Sequence, residues 1–167
     1  MVFTRPMRPA AYSDTVTGLS GTQKPEDRAS DDREVRNRDI VARAFDAWVA
    51  GTGGVFELLE PDATWTIVGT SPASRTYASR DEFLDLAVRP FNARLSTPLK
   101  PEVHALYADG DVVIAYFDAT ATANDGRPYR NTYTWYLHLS QGRIVKAVAF
   151  LDTVDFTDFW SRLTPTA

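Results

Sequence analysis

The chain contains no cysteine among its 167 residues. That absence excludes a disulfide scaffold, a thiolate metal site and a cysteine nucleophile. No apolar run approaches the ~18 residues that would span a bilayer, and the first residues lack the short apolar core of a secretory signal. A cytoplasmic location is therefore expected. Basic charge is not in excess either: the formal net charge is -4, so no broad basic face is available and nucleic acid is not expected as a partner. Histidine is scarce. His104 and His138 stand alone, with no acid or second histidine at metal-ligand spacing, so no metal site is expected. Gly51-Thr52-Gly53-Gly54 lacks the strand and lysine of a phosphate loop, and no serine sits in a nucleophile elbow. Nothing points to a nucleotide or any other cofactor. A hydrophobic content of 44% with 24% charged residues is that of a soluble globular domain, and this length suits one domain.

Residues 1–30 are rich in Pro, Ser, Thr, Gly and charge, without period, and read as a loosely packed or disordered arm. Alternatively Phe3, Met7 and Tyr12 let that arm cover a pocket or a partner subunit. The domain then occupies 31–167. Asp31 and Glu34 have capping-box spacing, and Val41, Ala44, Phe45 and Trp48 follow at helical intervals until Gly51. A short helix through Val55, Phe56, Leu58 and Leu59 should stop before Pro61. Residues 62–69 read as a strand. Ser79 and Glu82 open a third helix carrying Phe83, Leu86, Ala87, Phe91 and Leu95 on one stripe, with a kink or break expected at Pro90.

From Pro101 the period changes to two. Strands over 103–108, 112–123, 129–140 and 143–151 are separated by Asp109-Gly110, Asp125-Gly126 and Gln141-Gly142, all compact hairpin signals. On the third of these strands Asn131, Tyr133, Trp135, Leu137 and Leu139 share one face, and Arg130, Thr132, Thr134, Tyr136 and His138 the other. Phe156, Phe159, Trp160 and Leu163 predict a last helix from about Val154. Helices followed by an antiparallel meander give an α+β fold, a curved sheet with helices on its concave face. A hollow left at the open end of such a sheet becomes a pocket.

The stretches IVARAFDAWVAG, PDATWTIVG, SRDEFLDLAVRPF and RNTYTWYLHLSQGRIVKAVAFLDT, in this order and spacing, resemble the nuclear transport factor 2-like cone fold. More narrowly they resemble its SnoaL-like, ketosteroid-isomerase-related branch, over roughly residues 35–160. That fold hosts isomerases, polyketide cyclases, epoxide hydrolases, dehydratases and non-enzymatic binding domains, so it does not name a reaction. The resemblance to ketosteroid isomerases would require a tyrosine near position 44 and a carboxylate base near 66 or 67, where this chain has Ala44, Thr66 and Ile67. The resemblance to the cyclases would place an acid on the last strand, where Ala149 stands. The resemblance to limonene epoxide hydrolases puts an aspartate at the end of that strand, here Asp152, without the Arg-x-Asp that accompanies it there.

Asp152 is therefore the candidate acid or base, its alternative role being to cap the last helix. Asn131 and Tyr133 are candidates to orient a carbonyl or hydroxyl, or else to satisfy neighbouring strands. Trp48, Trp65, Phe91 and Trp135 are candidate walls of a substrate pocket, or plain core. Asp118 either faces that pocket or pairs with Arg130 or Arg127. The expected activity is cofactor-independent acid/base chemistry on a largely apolar organic molecule, the alternative being a non-catalytic binding or association domain. Tyr136 and His138 lie on the outer face of the sheet, where related cones pair, so a homodimer is expected.

Overall fold

The computed structural model describes residues 25–164. Helix α1 (Pro25–Ala50) is followed by a 3-10 turn (Val55–Leu58), strand β1 (Leu59–Ile67) and the two-residue β2 (Thr76–Tyr77). Next comes one helical segment: α2 (Arg80–Phe83), a widened π turn (Leu84–Val88) and α3 (Arg89–Asn92). Strands β3 (Lys100–Asp109), β4 (Val112–Thr122), β5 (Pro128–Ser140) and β6 (Arg143–Leu151) form the meander, and α4 (Thr153–Arg162) closes the chain. The six strands make one curved, unclosed sheet in the order β2-β1-β6-β5-β4-β3. All neighbours are antiparallel except β1 and β6, which run parallel. Hairpin signals report only sequential pairings, so that crossover pairing was not legible in them.

Helix α1 and strand β1 begin earlier than the sequence expectation. Helix α1 already runs at Pro25, so residues 25–30, assigned above to the arm, are helical. Residues 1–24, with Phe3, Met7 and Tyr12, lie outside the described residues. Glu34 is consequently not a capping residue; its carboxylate accepts the Gly110 N–H at 2.8 Å and ties α1 to the β3–β4 turn. Pro61 does not end an element but sits within β1, where the ladder to β6 is irregular between Leu59 and Thr64. A missing N–H is tolerated at such a position.

Other local signals are realised by their expected chemistry. The Ser79 hydroxyl accepts the Glu82 N–H at 3.1 Å, and the Glu82 carboxylate reaches back to the Ala78 N–H at 2.8 Å. Pro90 cannot donate to the carbonyl four residues earlier. The turn before it widens instead, with the Arg89 N–H bonding to the Leu84 carbonyl.

The core lies between the concave face of the sheet and α1, which contributes Val41, Ala44 and Phe45. On the sheet side, large inward side chains of β5 face alanines on its neighbours: Trp135 lies between Ala115 and Ala149, and Asn131 beside Ala119. Arg94, though nearly buried, bonds three carbonyls, Pro90 at 2.7 Å, Leu163 at 3.1 Å and Trp160 at 3.2 Å, and lies 4.1 Å from the Trp160 ring centroid. This side chain fastens α4 to the helical segment at one end of the sheet.

The β5–β6 turn sets the register of these faces. Gln141 and Gly142 both have positive φ, 49° and 79°, as a two-residue hairpin of type I′ requires. A Cβ at Gly142 would also stand 3.2 Å from Ile40 Cδ1. We expect Gly142→Ala to destabilise the protein by about 1–2 kcal/mol, read as a lower urea midpoint with an unchanged m-value.

Candidate functional site

A cavity of about 810 Å³ opens at one end of the curved sheet. Its inner wall is the concave face: Trp65 and Ile67 from β1, Phe117 from β4, Tyr133 and Trp135 from β5, Ala149 and Leu151 from β6. The end of α1 adds Trp48, the 3-10 turn Phe56, the helical segment Phe83 and Phe91, and α4 Phe156. These rings form a continuous aromatic lining. Trp48 stacks on Trp135 with centroids 6.0 Å apart, and Trp65 meets Trp135 edge-on at 5.0 Å. Trp65 stacks on Phe83 at 4.4 Å, and Phe91 on Phe156 at 6.0 Å. Trp48, Trp65, Phe91 and Trp135, the four aromatic candidates, are thus brought together around one space. Phe56, Phe83, Phe117 and Phe156 complete it and were not singled out from sequence. Alternation puts Phe117 on one face of β4 with Ala115 and Ala119, without saying that this face turns inward.

Among the described residues of the lining, the titratable ones are Glu57, Lys100 and Tyr133. Glu57 and Lys100 are exposed and stand at the mouth. Tyr133 is inside. Its hydroxyl lies 2.7 Å from that of Tyr129, and its ring stacks on Phe117 at 5.0 Å. Burial, with Tyr129 beside it, pushes Tyr133 well above the ordinary phenol value. Burial likewise pushes Tyr129 up to about 12, against hydrogen bonds from Tyr133 and Asn131. Both phenols are neutral across the physiological range.

Asp152 is elsewhere. Its carboxylate accepts the N–H groups of Val154 at 2.9 Å and Asp155 at 3.3 Å, capping α4. The residue is exposed and is not part of the cavity wall. The structure therefore gives Asp152 the capping role, not a shielded one: with α4 beginning at Thr153, its side chain is the nearest acceptor for orphan helix donors. Asn131 is buried, and its amide is engaged with the Asp152 backbone, Nδ2 donating to the carbonyl and Oδ1 accepting the N–H, both at 2.9 Å. It extends the ladder past the end of β6 and does not line the cavity.

Asp118 also lies away from the cavity. Strand β4 turns Phe117 and Ala119 inward, so Asp118 projects from the outer face with Tyr116. There it accepts from Arg130 Nη2 and from Thr132 Oγ1, each at 2.6 Å, with His104 Nε2 at 3.5 Å. The hydrogen bonds from Thr132 and Arg130 hold its carboxyl down at about 2. The substrate-facing alternative for Asp118 is replaced by the ion pair with Arg130. Period-two alternation sorts residues into two faces without saying which turns inward, and Asp118 shares its face with the exposed Tyr116. His138, on the same outer face, has its pKa lowered by burial and by Lys146 across the strand pair. Among the described residues no group of three His, Asp or Glu side chains is placed to hold a metal ion.

The positions at which the resemblance would put catalytic groups are also resolved. Ile67 and Ala149 line the cavity, Ala44 lies in the core behind it, and Thr66 faces out, bonded to the Thr76 hydroxyl at 2.9 Å.

The SnoaL-like domain family model matches residues 41–147. The chain belongs to the SnoaL-like family. No curated protein matches it. Among solved structures it is similar to Bal32a from a soil-derived mobile gene cassette, with 20% identity, TM-score 0.64, and coverage of 77% of this chain and 98% of that one. An NTF2-like protein from Burkholderia thailandensis has 22% identity and TM-score 0.62, covering 74% and 95%. IdmH from Streptomyces antibioticus, provisionally a polyketide cyclase, has 22% identity and TM-score 0.58, covering 75% and 99%. At these identities the likeness is one of fold. No helix among the described residues is long and apolar enough to cross a membrane.

Two outcomes are expected of this SnoaL-like domain. Asp152→Ala should lower stability by about 1 kcal/mol through loss of the cap, with binding in the cavity unchanged in a ligand titration. The Asp118 carboxyl is depressed in the fold from 3.8 to about 2. Its contribution to stability is therefore complete above the unfolded value and lost as pH falls through the folded one. Urea denaturation between pH 5 and about 2 should show a larger loss of stability in the wild type than in Asp118→Asn.

Proposed function

We propose that this SnoaL-like chain holds a largely apolar, uncharged organic molecule inside the cone. One observation carries the reading: a space of about 810 Å³ walled by aromatic side chains, with both ionic groups at its mouth. Its size is that of ligand sites, roughly 300–1,000 Å³, and a charged ligand buried there would lose hydration without a counter-ion to replace it. Trp48, Trp65, Phe91 and Trp135 supply the walls, and Tyr133 the inner polar contact.

Acid/base turnover of that molecule is a second reading, favoured by two structural relatives, IdmH and a protein from Bacillus subtilis, provisionally a polyketide cyclase and an isomerase. On this reading the proton is exchanged by Glu57, the one carboxylate of the lining, and not by Asp152. Two copies pair through the outer face of the sheet, where Tyr107, Tyr116, Tyr136 and Phe150 are exposed.

The test is a titration of tryptophan fluorescence with planar tricyclic hydrocarbons and ketones. We expect saturable quenching in the wild type and binding at least tenfold weaker in Ala149→Leu, which fills the cavity beside Trp135. Equal affinity in both proteins overturns the binding site. For the second reading, Glu57→Gln should abolish turnover while binding persists. Sedimentation velocity at micromolar concentration should show a dimer, and a monomer there overturns the pairing.

A further inference from the structure

The hydroxyls of Tyr129 and Tyr133, four residues apart on the inward face of β5, are 2.7 Å from each other. Two phenols carry two protons, and only one proton can lie between the two oxygens. The other needs a separate acceptor, or stays a buried unpaired donor at a cost in free energy. Tyr129 has no acceptor to spare. It is 3% exposed, packed between Phe91 and Phe159, and does not reach the cavity. Among the described residues the Tyr133 hydroxyl is the one group within hydrogen-bond geometry of the Tyr129 hydroxyl. A Tyr129 that accepted from Tyr133 would therefore strand its own proton. The satisfied arrangement runs the other way: Tyr129 donates to Tyr133, and the Tyr133 proton is left over. Tyr133, unlike Tyr129, borders the cavity.

We infer that the Tyr133 hydroxyl, oriented by Tyr129, is a directed hydrogen-bond donor that selects ligands carrying a neutral acceptor, a ketone or quinone-type carbonyl, at their inner end. The inference rests on the cavity being a ligand site, as proposed above. A hydroxyl whose oxygen accepts one hydrogen bond donates a second more strongly. Tyr129 is the positioning residue here. The stack of Tyr133 on Phe117, with 12° between the rings, restrains the remaining freedom of the phenol. An anionic acceptor is disfavoured, because among the described residues no cation lies inside the cavity to replace its hydration.

Fluorenone and fluorene differ only in a carbonyl against a methylene, so together they separate this inference from the reading beneath it. Dissociation constants for both are measured by equilibrium dialysis, and the carbonyl stretch of bound fluorenone by infrared difference spectroscopy. In the wild type the stretch should fall below its value in hydrocarbon solvent. Tyr133→Phe should reduce the preference for fluorenone over fluorene by roughly 3- to 10-fold, the worth of one neutral hydrogen bond, and return the stretch to its hydrocarbon value. Tyr129→Phe should move the stretch part of the way while fluorene affinity stays constant, which a merely structural role would not do. A hydrocarbon-like stretch in the wild type overturns the inference without recourse to any variant, as does an unchanged preference in Tyr133→Phe. In either case fluorene binding leaves the ligand site standing. If neither compound binds the wild type, the ligand site falls and the inference with it.

Discussion

The register of β5 is the constraint on which the rest of this structure depends. Its thirteen residues alternate strictly, with Tyr129, Asn131, Tyr133, Trp135, Leu137 and Leu139 buried and the residues between them exposed or half-buried. A slip of one residue would turn the two tyrosines and Trp135 outward and line the cone with Thr132, Thr134 and Tyr136. Two features hold the register. The two-residue turn at Gln141-Gly142, with the register shift that follows it between Leu139 and His138, sets the pairing with β6, and the Asn131 amide, bonded to both backbone groups of Asp152, fixes the far end. Between these points the alanines at 115 and 149 leave room for the indole that carries most of the aromatic lining.

Placement of charge follows from the same geometry. Carboxylates on the concave face would be desolvated with no cation to pair them, a cost of several kcal/mol for each ion. The chain puts Ile67 and Ala149 there instead. Its acids sit where a partner or water is available: Asp118 against Arg130 and Thr132, Asp125 against Arg162, Asp152 at a helix N-terminus, Glu57 at the mouth. What remains inside is uncharged, and its inner polar group is the Tyr133 hydroxyl. Such a cavity is suited to recognising an apolar molecule by shape and by a single polar contact. It offers little to a reaction that needs a shielded acid and base together, which is why the SnoaL-like fold of this chain says less about chemistry than its lining does.

Much of this was legible in the residues. The helical stripes of Phe45 and Phe83, the Ser79–Glu82 cap, the hairpin turns and the two faces of β5 all express local rules, in which the partner lies a few residues away. Where local and distant partners compete, the reading divides. Asp31 and Glu34 have the spacing of a cap, yet Glu34 is claimed by Gly110 across 76 residues. Pro61 signals a stop, yet β1 runs through it because the ladder to β6 is irregular there. The face of Asp118 depends on which side of β4 receives α1, and no periodicity within one strand carries that information.

Local sequence thus determined the elements, their order, the turns and the alternation of faces, because propensity, capping and turn geometry act between neighbours in the chain. Tertiary structure alone decided the parallel pairing of β1 with β6, the inward face of the sheet and the outward placement of Asp118 and Asp152. It alone brought the hydroxyls of Tyr129 and Tyr133 to hydrogen-bond distance and tied Asn131 to the Asp152 backbone. The physical reason is the same in each case. Burial and hydrogen-bond satisfaction are settled between groups far apart in sequence, and a carboxylate or phenol acquires its role only when the surrounding fold supplies or withholds a partner.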